Sequence, residues 1–410
     1  MGTANYGYDT MHGGLFRVGF ARIAHWFACG AFPFFVLINS SQANAEVLRV
    51  GPSRLLTVPS QAAALARDGD VVEIDAGEYR GDVAVWTQSR LSIRGQGGMV
   101  KLVADGHAAE SKAIWVMRGG DIRIEQITFT GARVLHRNGA GIRFEKGHLQ
   151  ISSCRFLDNE NGILTAADPD SQLDIEFSEF GNNGDGSGYS HNLYVGKIAR
   201  LRVTGSYFHH ARVGHLLKSR AQVNDISYNR LTDEEGGHAS YELEFPNGGV
   251  ALVMGNIIEQ SATTENPIII SYGAEGLGSA SNQLFLVHNT IVDRRFIAGT
   301  PLAVHGKPGE VAVVAINNLL LGSGALKLPV AAIDRGNFNG SLREINADYR
   351  LLDRSRWKVA AENFKDIVMP LSLPGRVFPP TMEYLHPLQV VPLTDAARST
   401  FVAGAVQSTK

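Results

Sequence analysis

A short pattern returns along most of this chain, and no other feature constrains the fold as tightly. An aliphatic residue is followed three places on by a small residue or Asn. Phe, Leu or Ile comes two places after that. Clear copies are Ile151-Ser-Ser-Cys-Arg-Phe156, Val203-Thr-Gly-Ser-Tyr-Phe208, Ile226-Ser-Tyr-Asn-Arg-Leu231 and Leu286-Val-His-Asn-Thr-Ile291. The third residue from the end of each copy is an anchor. The anchors are Ile127, Cys154, Ser178, Ser206, Asn229, Asn256, Asn289 and Asn318, spaced by 27, 24, 28, 23, 27, 33 and 29 residues. Between anchors lies a second short apolar run, such as Gly141-Ile-Arg-Phe144, Gly162-Ile-Leu-Thr165, Asn192-Leu-Tyr-Val195 and His215-Leu-Leu-Lys218. Many of these runs alternate apolar and polar residues, the period of a strand. A repeat of this length with two or three short strands describes one coil of a solenoid, which buries its apolar side only by stacking on its neighbours. The fold class expected is all-β: a right-handed, single-stranded parallel β-helix. Asn229, Asn256, Asn289 and Asn318 fall at one corner and are expected to stack as an amide ladder.

The ends of the chain read differently. Arg17 and Arg22 precede an apolar run from Ile23 to Ile38, and Gln42-Ala43-Asn44-Ala45 follows as a small-x-small cleavage pattern. Residues 1–45 are therefore expected to be a signal peptide cut after Ala45, with no stable membrane insertion and a periplasmic or secreted destination. Residues 46–334 carry the repeat. Pro59 to Arg67 reads as a short amphipathic helix capping its N-terminal end. Residues 335–410 lose the repeat, gain Pro, and are expected to fold back over the coils as an irregular tail.

Composition excludes several functions. Lys and Arg number 38 against 40 Asp and Glu, a net charge of −2, so the positive field of a nucleic-acid binder is missing. With two Cys in 410 residues, a disulfide scaffold or a Cys-rich zinc protein is ruled out. Cys154, at an anchor position, reads as a small core residue.

The segment Ser60-Gln-Ala-Ala-Ala-Leu-Ala-Arg-Asp-Gly-Asp-Val-Val-Glu-Ile-Asp-Ala-Gly-Glu-Tyr79 resembles the opening of pectate-lyase-like right-handed β-helix proteins. Leu91-Ser-Ile-Arg-Gly95 resembles the next coil, and Ala403-Gly-Ala-Val-Gln407 a typical ending. The resemblance runs from about Val47 to Leu320. It implies the fold and a carbohydrate-active setting, but the fold hosts lyases, hydrolases, epimerases and non-catalytic fibres.

Chemistry concentrates in the middle coils. Asn192, His215 and Glu242 each precede the next anchor by 14 residues, so they are expected to stack on one outward wall. Tyr194, Leu217 and Glu244 form the column two residues on, with Leu193, Leu216 and Leu243 turned inward between them. Strict alternation then aims Lys218 inward unless its strand bends. Three chemistries fit this set. A lyase acting on a uronate polysaccharide by β-elimination needs a cation for the carboxylate and a base near the α-proton. Lys218, His215, Arg220, Tyr194, Glu242 and Glu244 are the catalytic candidates, and His191, Asn192, Tyr241, Asn247 and Tyr272 the substrate-binding ones. Glu242, Glu244 and Asn192 are hard oxygen ligands suited to Ca²⁺. Alginate and chondroitin lyases of this fold carry Asn, then Glu-x-Glu, then Lys and a later Arg. Here Lys218 comes one coil before Glu242, and no Arg follows at the matching place. A glycoside hydrolase would instead use Glu242 with Glu244, about 6.6 Å apart by strand rise, with Asp233, Glu234 and Glu235 nearby. A non-catalytic binder would stack sugars on Tyr194, Tyr207, Tyr241, Tyr272 and His209. The His209-His210 pair is expected to point to opposite sides of its strand. The partner expected is a polysaccharide, and the sequence carries no signal for oligomeric state.

Overall fold

The structure, a computed structural model, describes residues 45–408. The signal-peptide reading of residues 1–45 falls almost wholly outside them. No helix among the described residues is long and apolar enough to cross a membrane. The architecture is the expected parallel β-helix, a solenoid of about ten turns. A 7-residue helix, Pro59–Leu65, covers its N-terminal end with Pro59 in the first turn, where a missing N–H costs nothing.

Most coils carry three short strands, for example Arg200–Thr204, Tyr207–His209 and Leu217–Ser219. The first two strands of every coil lie in one 21-stranded sheet that wraps two faces. The third lies in a nine-stranded sheet that begins at Ala84–Trp86 and ends at Thr300–Val304. One residue with positive φ makes the corner between the first two strands. Gln126, Ser153, Phe177, Gly205, Tyr228, Gly255, His288, Asn317 and Gly336 fill that place, each immediately before an anchor. The left-handed kink turns the anchor side chain into the interior, where a polar one must find a hydrogen bond. Asn229, Asn256 and Asn289 do so as the sequence predicts. The Oδ1 of each lower Asn accepts both the backbone N–H and the Nδ2–H of the Asn above, at 2.9–3.1 Å. The ladder continues through Asn318 to Asn337. Cys154 sits at the same corner, fully buried, and burial pushes its thiol up to about 12.

The core is built in columns. Trp86, Trp115, Phe129, Phe156, Phe180 and Phe208 form a continuous aromatic pile with centroids 4.6–5.2 Å apart. On the nine-stranded face the inward column is Ile142, Ile163, Leu193, Leu217, Leu243, Ile270 and Leu302. Leu217 occupies the place assigned to Leu216 by constant spacing. The corner after Ser219 holds three residues before the next strand at Val223, whereas the corners after Val195 and Phe245 hold four. The short corner is closed by Ser219 Oγ, which donates to Asn224 Oδ1 at 2.6 Å. Parallel pairing continues past residue 334, with Ile333–Arg335 and Phe338–Gly340 as the last two rungs.

Candidate functional site

The shifted register rearranges the expected wall. Residues flanking the inward column on the nine-stranded face point outward, so Arg143, Leu164, Tyr194, Lys218, Glu244 and Ser271 form one outward column. Lys218 lies in it by plain alternation, and no bend is needed. Asn192, His215 and Glu242 do not stack. Asn192 faces inward, where its Oδ1 accepts from Asn183 Nδ2 at 2.8 Å. Glu242 is also interior, with no exposure and neither carboxylate oxygen hydrogen-bonded. Both lie just before a strand of the nine-stranded face begins, at Leu193 and Leu243, so strand alternation does not govern them. Tyr272 is a core residue, packed on Phe245 with its hydroxyl donating to Gly249 O.

What does converge is a cleft of about 520 Å³ lined by Asn138, Arg143, Asn161, His191, Tyr194, Lys218, Arg220 and Glu275, with Tyr189 and Leu164 at its sides. Arg220 is its most connected group. Nε donates to Tyr194 Oη at 2.9 Å, Nη1 to Asn247 Oδ1 at 2.6 Å, and Nη2 to Glu275 Oε1 at 2.9 Å. Lys218 Nζ lies 2.9 Å from Glu244 Oε2 and 3.0 Å from Glu275 Oε1. Burial works to raise the Glu244 carboxyl, but contacts with His215 and Lys218 outweigh it and hold it below its ordinary value. Three cations, Arg143, Lys218 and Arg220, thus meet two carboxylates, and one positive charge is left over. Arg143 Nε has no hydrogen-bond partner.

The two histidines sit behind this row. His191 Nδ1 accepts the backbone N–H of His215 at 3.0 Å, so its proton sits on Nε2. Asn161 Oδ1 accepts the His191 backbone N–H and fixes the loop. Burial, then the charges of His215, Lys218 and Arg220, hold His191 well below its ordinary value, and it is neutral at pH 7. His215 Nδ1 lies 3.1 Å from Glu244 Oε2 but out of line for a hydrogen bond. The Tyr241 ring packs edge-on to His215 at 4.8 Å.

Of the residues singled out from sequence, Lys218, Arg220, Tyr194, Glu244, His215, His191, Tyr241 and Asn247 come together. Asn192, Glu242 and Tyr272 do not join them. The calcium set therefore fails on geometry: Glu244 faces the cleft while Asn192 and Glu242 face the core. Among the described residues no group of three His, Cys, Asp or Glu is placed to hold a metal ion. The hydrolase pair fails for the same reason, since Glu242 and Glu244 cannot flank one glycosidic bond. Asp233 is interior as well, and Glu234 is engaged by Tyr207, Arg230 and Thr232 on another face. Tyr207 and His209 belong to that face too, outside the cleft. The positive φ of His210 turns its ring back, so His209 Nδ1 and His210 Nδ1 lie 2.8 Å apart rather than on opposite sides. Arg143, Asn161 and Glu275 were not anticipated. Arg143 was readable, because Gly141-Ile-Arg-Phe144 aligns with the strand that carries Tyr194. Glu275 lies in a loop with no periodic signal.

No family model and no curated protein matches this sequence. Among solved structures, the crystal structure of pectate lyase Pel9A is similar, with a TM-score of 0.53 and 13% identity over 78% of this chain and 86% of that one. Geobacillus virus E2 ORF18 aligns at a TM-score of 0.44 and 14% identity over 71% of this chain and 58% of that one. By fold, the chain is a pectate-lyase-like parallel β-helix.

Proposed function

We propose that the chain is a polysaccharide-processing enzyme that cleaves an acidic, uronate-containing polymer by β-elimination in this cleft. The observation that carries the reading is the outward row Arg143–Tyr194–Lys218 with Arg220 beside it, a surplus of positive charge around a phenol. The likeness in fold to a pectate lyase supports it. Elimination requires the carboxylate next to the α-carbon to be neutralised, because the electron pair left by the departing proton is delocalised into it. Lys218, Arg220 and Arg143 supply that charge. Tyr194 Oη, oriented by the Arg220 N–H that it accepts, takes the α-proton. The electron pair forms the new carbon–carbon double bond as the bond to the glycosidic oxygen breaks, and that oxygen then takes up a proton. His191 Nε2–H is a donor at the cleft surface for a substrate oxygen. Glu244 and His215 position Lys218 rather than touch substrate. A secreted or periplasmic location is part of this reading, because the polymer would be met outside the cytoplasm.

The test is incubation with a panel of acidic and neutral polysaccharides, with and without chelator. Ultraviolet-absorbing unsaturated ends from an acidic polymer, lost in Tyr194→Phe, are the expected result. New reducing ends without that absorbance would make the protein a hydrolase, and binding without cleavage would make it a carbohydrate-binding module.

A further inference from the structure

Glu275 is out of character with its neighbours. It is 45% exposed in its side chain, whereas the two cations it pairs with, Lys218 and Arg220, are 12% and 17% exposed. Each cation is also held by something else. Glu244 holds Lys218, and Tyr194 and Asn247 hold Arg220. The Glu275 side chain is held only by them. Its two oxygens take Lys218 Nζ at 3.0 Å and Arg220 Nη2 at 2.7–2.9 Å. This is the two-oxygen, two-cation geometry by which a carboxylate of any origin is gripped.

The segment that carries it is a glycine-rich loop at the rim of the cleft. It begins at Gly273 and includes Gly276, both at positive φ, and Gly278. It rests on the preceding coil through Glu275 N–H to Pro246 O and Gly278 N–H to Asn247 O, both 2.9 Å. Asn247 Nδ2 adds a bond to Gly276 O. Gly273 N–H also bonds Phe245 O at 2.8 Å and Leu277 packs on the core, so the backbone is seated at both ends and the exposed Glu275 side chain is the part that can swing.

We propose that Glu275 is a built-in stand-in for the substrate carboxylate, displaced from Lys218 and Arg220 when a uronate enters, and that this exchange selects acidic over neutral sugars. The inference rests on the reading of the cleft as an acidic-glycan site. A neutral sugar that dislodges Glu275 leaves Arg220 with no carboxylate and Lys218 with Glu244 alone, a cost that a uronate avoids. The same competition lowers the apparent affinity for the correct ligand, since the free cleft is mostly in the self-occupied state.

The experiment measures binding of trimers of galacturonate, mannuronate and glucuronate, with cellotriose as the neutral control, by calorimetry. Wild type, Glu275→Gln and Arg220→Ala are compared. The expected result is that one acidic trimer binds wild type, binds Glu275→Gln about 3- to 10-fold more tightly and loses binding in Arg220→Ala. Equal or weaker binding to a folded Glu275→Gln, with wild-type binding intact and Arg220-dependent, overturns the displacement and leaves the site reading standing. No acidic trimer binding to wild type or Glu275→Gln overturns both. Hydrogen exchange on wild type gives a readout that does not depend on the variant. The bound trimer should speed exchange at the Glu275 amide, and slower exchange there would count against the exchange of partners.

Discussion

At the scale of single residues, Arg220 decides most. Its guanidinium reaches Tyr194, Asn247 and Glu275 at once, which only a planar fork with several fixed N–H groups can do. Arg220→Lys keeps the charge but cannot span the three. It should lower kcat/KM on the cleaved polymer by roughly 100-fold, in the range for losing one preorganised transition-state donor. The thermal melt should barely shift, and a large fall in melting temperature would recast Arg220 as structural. Glu242 makes the opposite case. Alternation from Leu243 made it look like an outward partner of Glu244, yet it lies just before the strand and turns inside. Burial, reinforced by Asp233, Glu259 and Asp293, pushes its carboxyl well above the ordinary range, and burial pushes Asp233 up to about 7. A carboxyl whose value is raised on folding holds its proton longer in the native state. The native state then binds more protons than the unfolded one, and stability falls as pH climbs from the ordinary carboxylate range through about 7. Melting curves at pH 5 and pH 8 should show the wild type weaker at pH 8, with Glu242→Gln narrowing the gap. A melting temperature flat across that range would contradict this account.

The coil corner is the element that the sequence displays most openly. An Asn recurring at an aliphatic-x-x-Asn-x-aliphatic position has little reason to exist unless it stacks, and four anchors gave the ladder. Asn337 escaped because it follows Asn318 by only 19 residues, after the last coil contracts. The third-face register was harder, because one residue missing from the corner after Ser219 shifts Leu217 and Lys218 by one place and reverses which side each faces. Nothing in a spacing of 14 reveals whether a corner or a strand has shortened. Only the choice between Leu216 and Leu217 as core residue registers it, and both are apolar. The ladder also makes a quantitative prediction. Asn256 Oδ1 accepts from Asn229 N and Nδ2, and Asn256 Nδ2 donates to Ile226 O and Asn289 Oδ1. Asn256→Ala strands a buried backbone N–H and a carbonyl, at about 1–3 kcal/mol for each unmet group. Chemical denaturation should show a loss of about 2–4 kcal/mol, and a loss under 0.5 kcal/mol would mean that water replaces the amide.

The whole molecule is asymmetric along its axis, and the strands record why. Early first-face strands alternate, as in Asp121–Glu125, where Ile122 and Ile124 face the core. From Val250 onward the pattern is lost. Val250–Met254, Gln283–Val287 and Ala312–Ile316 are apolar on both sides. A strand apolar on both faces is covered on both. The cover is the tail: Leu252, Met254, Phe285, Val287, Val314 and Ile316 pack under Tyr349, Trp357, Leu373, Tyr384, Val402 and Val406 in one buried cluster. Polar contacts fix its position, with Tyr349 Oη donating to Glu259 Oε2 at 2.9 Å and Arg376 Nε to Asp225 Oδ2 at 2.7 Å. The loss of alternation was visible in the sequence and is what a fold-back tail requires, although no periodicity in the tail itself indicated where it would lie. The solenoid and its tail should therefore not be separable. A chain ending at Gly340 uncovers those six large side chains as a continuous strip on the sheet, a surface of the kind that drives association. It should bind a hydrophobic dye, lose soluble yield and melt at least 10 °C lower than the full chain. The cleft lies on the nine-stranded face, to which this apolar cluster contributes no residue, so any surviving truncated protein should keep its affinity for the acidic trimer. A soluble, monomeric truncated chain with an unchanged melt would mean that the later coils are stable without their cover, and that their second apolar face serves something other than the tail.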